Sequence, residues 1–302
     1  MNSIDRLIQL AGLRGSLDLR CQFLGDWALD HEPLPAGTAQ YHVVLSGSCR
    51  AEMPDGQVLE LKAGEVLVLP AGGAHLLRSR GARVVAQEPD VRQEGLLPVH
   101  RLGAGDAELD MLCGSFHYQR GSLLIGALPP YLKVSCQENG LGSAVASLVG
   151  LLRAEADGNQ PGARFLVDTL SSALFTLILR VYLQEHAPAS GTLALLADKR
   201  LGRAWQAMLE DPAHAWTIEA LADRASMSRA TFTRQFAQVA GESPWALLSR
   251  VRMELAYGLL SGTQLSLVEI AAQVGYQSQA AFTKKFRETY GDAPGRVRRA
   301  LN

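Results

Sequence analysis

One pattern is written twice near the end of this 302-residue chain. The first copy is LADRASMSRATFTRQFAQVAGESP, residues 221–244; the second is IAAQVGYQSQAAFTKKFRETYGDAP, residues 270–294. Aligned, Leu221 meets Ile270, Phe232 meets Phe282, Phe236 meets Phe286, Gly241 meets Gly291 and Pro244 meets Pro294. Internal repetition at this spacing commits the chain to building one supersecondary unit twice.

Each copy has the make-up of a helix-turn-helix. In the first, Thr217 or a neighbour caps a short helix whose apolar points are Ile218, Leu221 and Ala222. Met227 packs the turn, and Ser228 caps a second helix in which Phe232 and Phe236 share a buried face at i, i+4. Arg229, Ala230, Thr233 and Arg234 are left facing outward. In the second copy Leu267, Ile270 and Ala271 build the first helix, Gly275 suits a turn position of positive φ, and Ser278 caps the second helix. Phe282 and Phe286 go inward, while Gln279, Ala280, Thr283 and Lys284 look outward. A long helix over about residues 244–260 joins the copies.

Small and cationic side chains on an exposed helix face are what a major groove admits. Arg and Lys donate to guanine edges or phosphates, Gln to adenine, and the methyls of Ala and Thr touch a thymine methyl. A solvated face in a helical bundle explains one such copy equally well, but explains two in tandem poorly. Charge points the same way. The chain carries 29 Lys+Arg and 30 Asp+Glu; from residue 193 onward the counts are 14 and 10, a net of +4, which leaves −5 on the rest. A basic tail behind an acidic front suits a nucleic-acid reader joined to something else.

These residues resemble the DNA-binding domain of AraC/XylS-type transcription regulators, over about residues 195–300, with GYQSQAAFTKKFRETYGDAPGRVR as the specific signature. The resemblance implies two recognition helices in successive major-groove segments of double-stranded promoter DNA. Ala230, Thr233 and Arg234 match the base-reading positions of the first, and Gln279, Ala280, Thr283 and Lys284 those of the second. Many relatives close the signature with Pro-x-x-Tyr-Arg; here it is Pro294, Gly295, Arg296, Val297, Arg298, and the missing Tyr bears on packing alone. RNA polymerase is an implied partner, and a homodimer is a further expectation.

The front half has a different texture. Residues 4–10 place Ile4, Leu7, Ile8 and Leu10 at helical spacing. Short strands are expected at 43–47, 49–53, 58–61, 66–69, 84–86 and 111–118, separated by turn signals such as Pro54-Asp55-Gly56 and Pro70-Ala71-Gly72. Even punctuation of this kind suggests a small β-barrel or jelly roll. Residues 88–108 are polar and weakly periodic and are expected to be a surface loop. Two amphipathic helices follow, over about 141–152 and 163–185, to cover the barrel or face a second copy. The linker at 187–191 closes a first domain of residues 1–190; residues 191–302 form the second, with helix-turn-helix units at 218–239 and 266–289. The fold class is therefore α+β: a cupin-like β-barrel with two covering helices, then an all-α domain with two helix-turn-helix motifs.

Residues 64–75 resemble the second motif of the cupin fold, ending in His75, but only Tyr41-His42-Val43-Val44 stands where the first motif usually supplies paired His and a Glu. His42 and His75 are candidate metal ligands, since imidazole suits several transition metals. Two ligands fall short of the three a metal site needs, so hydrogen-bonded barrel residues are the preferred reading and no cofactor is expected. Neither a catalytic triad nor a phosphate loop nor a paired-carboxylate site stands out, so an enzyme is not expected. There is no signal-peptide pattern and no run of about 18 apolar residues, so a cytoplasmic protein with no membrane span is expected.

Cys21, Cys49, Cys113 and Cys136 all lie in the front half, with no CxxC and no zinc-site spacing. Free, mostly buried thiols are the default in a reducing compartment. The front half also resembles the sensor half of a subgroup of AraC-type regulators, through Leu112-Cys113-Gly114-Ser115-Phe116, Leu128-Pro129 and Glu52-Met53-Pro54-Asp55-Gly56. That subgroup includes activators that respond to reactive chlorine species by cysteine oxidation. The resemblance carries that role onto Cys21, ahead of Asp26-Trp27, and onto Cys113. Arg20 beside Cys21 is a candidate for lowering its pKa. Two alternatives stand beside redox sensing: a small-molecule effector in the barrel, and a metal-dependent cupin enzyme fused to the DNA-binding half.

Overall fold

The computed structural model describes residues 2–81, 88–136, 140–158, 160–186 and 188–301. The order of elements begins α1 (Ser3–Ala11), β1 (Arg14–Phe23), β2 (Ala28–His31), β3 (Thr38–Ser46), β4 (Ser48–Glu52), β5 (Val58–Lys62), β6 (Glu65–Leu69) and β7 (His75–Arg78). It continues β8 (Asp90–Glu94), β9 (Leu97–Leu102), β10 (Leu109–His117), α2 (Leu123–Gly126), β11 (Leu132–Ser135), α3 (Leu141–Asp157) and α4 (Ala163–Glu185). The helical remainder is α5 (Ala194–Ala197), α6 (Leu201–Glu210), α7 (Ile218–Arg224), α8 (Arg229–Ala240), α9 (Pro244–Gly262), α10 (Leu267–Gln273), α11 (Gln279–Tyr290) and α12 (Pro294–Leu301).

The chain packs as two units. One is Leu13–Tyr118 with Leu128–His186; the other is Met1–Gly12, Gln119–Ala127 and Ala187–Asn302. Two short pieces from the front half thus pack with the C-terminal helices.

The first unit is built of two sheets. The larger has the order β11-β6-β3-β10-β1-β9-β8, the smaller β2-β7-β4-β5. All pairings are antiparallel except β1 with β9. Strand alternation sends Met111 and Cys113 of β10 into the core with Cys21 and Phe23 of β1, where they meet Trp27, Cys49, Leu67 and Leu77. Phe116 points the other way and meets Phe175 of α4 edge-to-face, ring centroids 5.2 Å apart. The same face is why Gly15 is glycine: a Cβ there would lie 2.4 Å from the carbonyl carbon of Ser171 in α4. Its N–H donates to the Ser172 hydroxyl at 2.8 Å.

Two strands carry no legible period. All five residues of β8 are exposed, so no apolar alternation marks it. In β1 the register slips between Leu17 and Leu19, which breaks the alternation. The surface loop expected at 88–108 is in fact mostly β8 and β9, with Leu97, Val99 and Leu102 buried. The strand expected at 84–86 lies outside the described residues. Helix α4 contains a window of mean hydropathy 1.6 and is, by length and composition alone, apolar enough to cross a membrane. Its inner side is a sheet-packing face, with Leu174, Phe175, Ile178 and Leu179 buried and the Ser171 hydroxyl accepting from Tyr41. Phe165, on its outer side, is 78% exposed.

In the second unit α9 is the central strut. It packs against α8, α10, α11 and α12, and also against α1 and α2. Arg252 of α9 donates to three carbonyls: Pro212 at 2.7 Å, His214 at 3.0 Å and Gly275 at 3.2 Å. It therefore ties the approach to α7 to the turn before α11. Glu254 of α9 is 1% exposed, and its Oε2 accepts from the Leu123 N–H of α2 at 3.0 Å. Burial pushes its carboxyl up to about 7 from 4.5, opposed by the bonds from Leu123 and Ser122.

That carboxyl makes stability depend on pH. Because its folded pKa lies above the unfolded one, the cost is absent below about pH 4.5, grows through the interval, and is complete above about pH 7. Its ceiling is roughly 3 kcal/mol. Glu254→Gln is expected to raise the melting temperature at pH 8 and to leave it near wild type at pH 4.5. A pH-independent difference would refute the assignment.

Candidate nucleic-acid interface and thiol–imidazole core

The two helix-turn-helix units are assembled from local rules that the sequence displays. Thr217 accepts from the Ala220 N–H, Ser228 from Thr231, and Ser278 from Ala281. Ser266 forms a reciprocal capping box with Glu269. Phe232, Phe236, Phe282 and Phe286 are fully buried. The turn of the first unit runs from Ala225 to Ser228 and that of the second from Val274 to Ser278, so the second is one residue longer. The left-handed position is Gly275, φ 82°, in the second and Ser226, φ 54°, in the first. Ser226 is the sole non-glycine in that region among the described residues.

On α8, Arg229, Ala230, Thr233 and Arg234 are exposed. Arg229 is paired with Glu219 of α7 at 2.7 Å, which leaves Arg234 as the less engaged cation. On α11, Gln279, Ala280 and Lys284 are exposed and Thr283 is half-buried. These four line one open depression with Arg287, one turn further on. Sequence reasoning passed over Arg287, although its spacing from Thr283 and Lys284 places it on the same helical stripe.

The front unit concentrates its chemistry in the core between the sheets. Cys21 and Cys113 sit there with Cys49, all unpaired and buried; Cys136 is half-buried elsewhere. Cys113 lies opposite Leu19, and Cys21 opposite Met111, so the two thiols are diagonal neighbours on adjacent strands. The neighbouring Cys21 thiol, together with burial, holds the Cys113 thiol well above its ordinary range. Burial pushes Cys49 up to about 12. Arg20 does not serve Cys21: β1 turns it to the opposite face, where it binds Asp110 at 2.5 Å and Asp157 at 2.6 Å.

Beside the thiols lie three imidazoles. His42 of β3 is the direct cross-strand partner of Cys113, and His31 of β2 that of His75 on β7. His42 Nε2 is 2.9 Å from His75 Nε2, and His42 Nδ1 is 3.1 Å from Cys113 Sγ. Burial lowers the pKa of all three, His75 to about 4 and His42 well below its ordinary value, so they are neutral. His31 is the residue the sequence did not offer, because β2 shows no strand pattern and lies outside both cupin-like motifs.

Comparison with known proteins matches residues 3–184 to a family described as Cupin, and residues 221–300 to one described as Helix-turn-helix domain. A helix-turn-helix-type transcriptional regulator of Haemophilus influenzae is 36% identical over the whole of both chains. The RCS-specific helix-turn-helix-type transcriptional activator RclR of Escherichia coli is 31% identical over 99% of this chain and 97% of its own. The helix-turn-helix-type regulator MtrA of Neisseria gonorrhoeae is 32% identical, over 99% and 98% respectively.

The turn geometry makes a stability prediction. A side chain in the left-handed region costs on the order of 1 kcal/mol that glycine avoids. Ser226→Gly is expected to raise stability by up to about 1 kcal/mol, read by denaturant midpoint. A lowered midpoint would contradict the equivalence of Ser226 with Gly275.

Proposed function

Because the chain belongs to the AraC-type helix-turn-helix transcriptional regulators with a cupin front domain, we propose that it is an activator reading promoter DNA through α8 and α11 and switched by oxidation of Cys21 and Cys113. A cytoplasmic site of action follows from that role. The observation that carries the switch is the placement of Cys21 and Cys113 in one buried core, diagonal to each other on adjacent paired strands. The name of the Escherichia coli relative, which specifies reactive chlorine species, supports the choice of oxidant.

The chemistry balances with hypochlorous acid as the two-electron oxidant. One thiol and hypochlorous acid give a sulfenic acid and hydrochloric acid; the second thiol then displaces water to close the disulfide. Both thiols are nearly buried, at 2% and 5% exposure, so the oxidant must enter by local opening. The interior around them is filled by Phe23, Trp27 and Met111, which favours thiol chemistry over a ligand lodged in the barrel.

Chain connectivity supports the coupling. Cys21 lies on β1, which follows α1 directly; Cys113 lies on β10, which runs directly into residues 119–127. Both flanking pieces pack with the DNA-binding helices, and the Gln119 N–H donates to the Ala11 carbonyl at 2.7 Å. A bond drawn between β1 and β10 therefore joins the two strands that are continuous with those segments.

Two experiments test the proposal. Arg234→Ala and Lys284→Ala are each expected to weaken operator binding by about 1–3 kcal/mol, measured by fluorescence anisotropy. Wild-type affinity in both variants would remove the groove assignment. After a stoichiometric dose of hypochlorous acid, peptide mapping is expected to show a Cys21–Cys113 link, and Cys21→Ser to abolish promoter activation. A link to Cys49 instead, or an undiminished response, would overturn the switch.

A further inference from the structure

We propose that His31, His42 and His75 form a binding site for a divalent transition-metal ion of the zinc type, with the fourth position left to water or an exchangeable anion. The three offer one ligand atom each, all within 4.8 Å of one another. They come from three strands in two sheets, and register holds them: His31 faces His75 across β2 and β7, while His42 is set on β3 against β10. Neutral imidazole is a preferred donor for zinc, copper, iron and nickel, and three protein ligands with an open position are a sufficient set.

The hydrogen bonds show how the rings are set. The Nδ1–H of His75 donates to the Gly73 carbonyl at 3.1 Å, which leaves its Nε2 lone pair aimed at the cluster. An imidazole anchored to a carbonyl through its other nitrogen is the usual supporting arrangement for a metal ligand. The 2.9 Å contact between the Nε2 atoms of His42 and His75 then requires the proton on His42, so His42 Nδ1 accepts from the Cys113 thiol. Ligands of a tetrahedral zinc with bonds of about 2.0–2.1 Å stand roughly 3.3 Å apart. The two rings are thus already near the spacing of two ligands, with one proton where the cation would be. His31 stacks on His75, centroids 4.4 Å apart, and burial keeps it neutral, with a lone pair available to an ion.

Loading the site moves the His42 proton from Nε2 to Nδ1. That nitrogen then donates to Cys113 Sγ instead of accepting from it. The ion is thereby linked to one of the two switch thiols without being ligated by it.

The test uses the full-length protein, stripped with chelator and kept reduced. Zinc is titrated in competition with a chromophoric indicator, and cobalt(II) is used as a spectroscopic probe. The expected result is one equivalent bound, a tetrahedral or five-coordinate cobalt spectrum of imidazole ligation, and no intense thiolate charge-transfer band. His31→Gln, at a partly buried position, is expected to weaken binding more than about a hundredfold, beyond what outer-shell changes cause. Cys113→Ser is expected to keep the stoichiometry. Absence of stoichiometric binding by the wild-type protein, a strong thiolate band, or unchanged affinity in His31→Gln would each overturn the site. None of these readouts depends on DNA or oxidant.

Discussion

The antiparallel pairing of β1 with β10 is the constraint on which the rest of the structure depends. Its inner face sets Cys21 and Cys113 side by side, and its outer face receives α4. Gly15 and Gly114 mark how closely the outer face is covered: a Cβ at Gly114 would lie 2.3 Å from the Ser16 carbonyl oxygen and 2.4 Å from the Tyr41 hydroxyl. The strands' far ends continue into the two segments that pack with the helical unit. One pair of strands thus holds two of the buried thiols, anchors the cover and leads into those segments.

The helical unit solves a different problem, that of presenting two reading helices from one frame. Two buried Phe side chains secure each of α8 and α11 to its own small core, and α9 packs against both. Arg252 adds directional bonds to carbonyls on either side of that helix. Charged hydrogen bonds to carbonyls are stronger than neutral ones, and a planar guanidinium distributes them in fixed directions. Glu254 works in the opposite sense. It is a buried acid joining α9 to residues 119–127, the segment that continues from β10, and its ionisation sets that joint against itself.

Much of the helical half was legible because it rests on local rules. Caps at Ser228 and Ser278, glycine at 275, and phenylalanines four apart act within a few residues, so the sequence displays them whole. The strands were harder. β8 has no buried face and β1 changes register midway, so neither shows the period that reveals a strand. Arg20 illustrates the limit of adjacency: beside Cys21 in sequence, it points to the other face and serves Asp110 and Asp157.

The sequence alone determined the duplicated helix-turn-helix, the change from strands to helices, and the pairing of a cupin-like half with a DNA-binding half. These follow from periodicity, capping and motif, which are short-range. Only the tertiary structure decided that His31 joins His42 and His75, that Cys49 lies near the other two thiols, and that residues 1–12 and 119–127 pack with the helical unit. Those juxtapositions arise from strand register and from two sheets closing on one another, and register is a property of paired strands that no single strand contains.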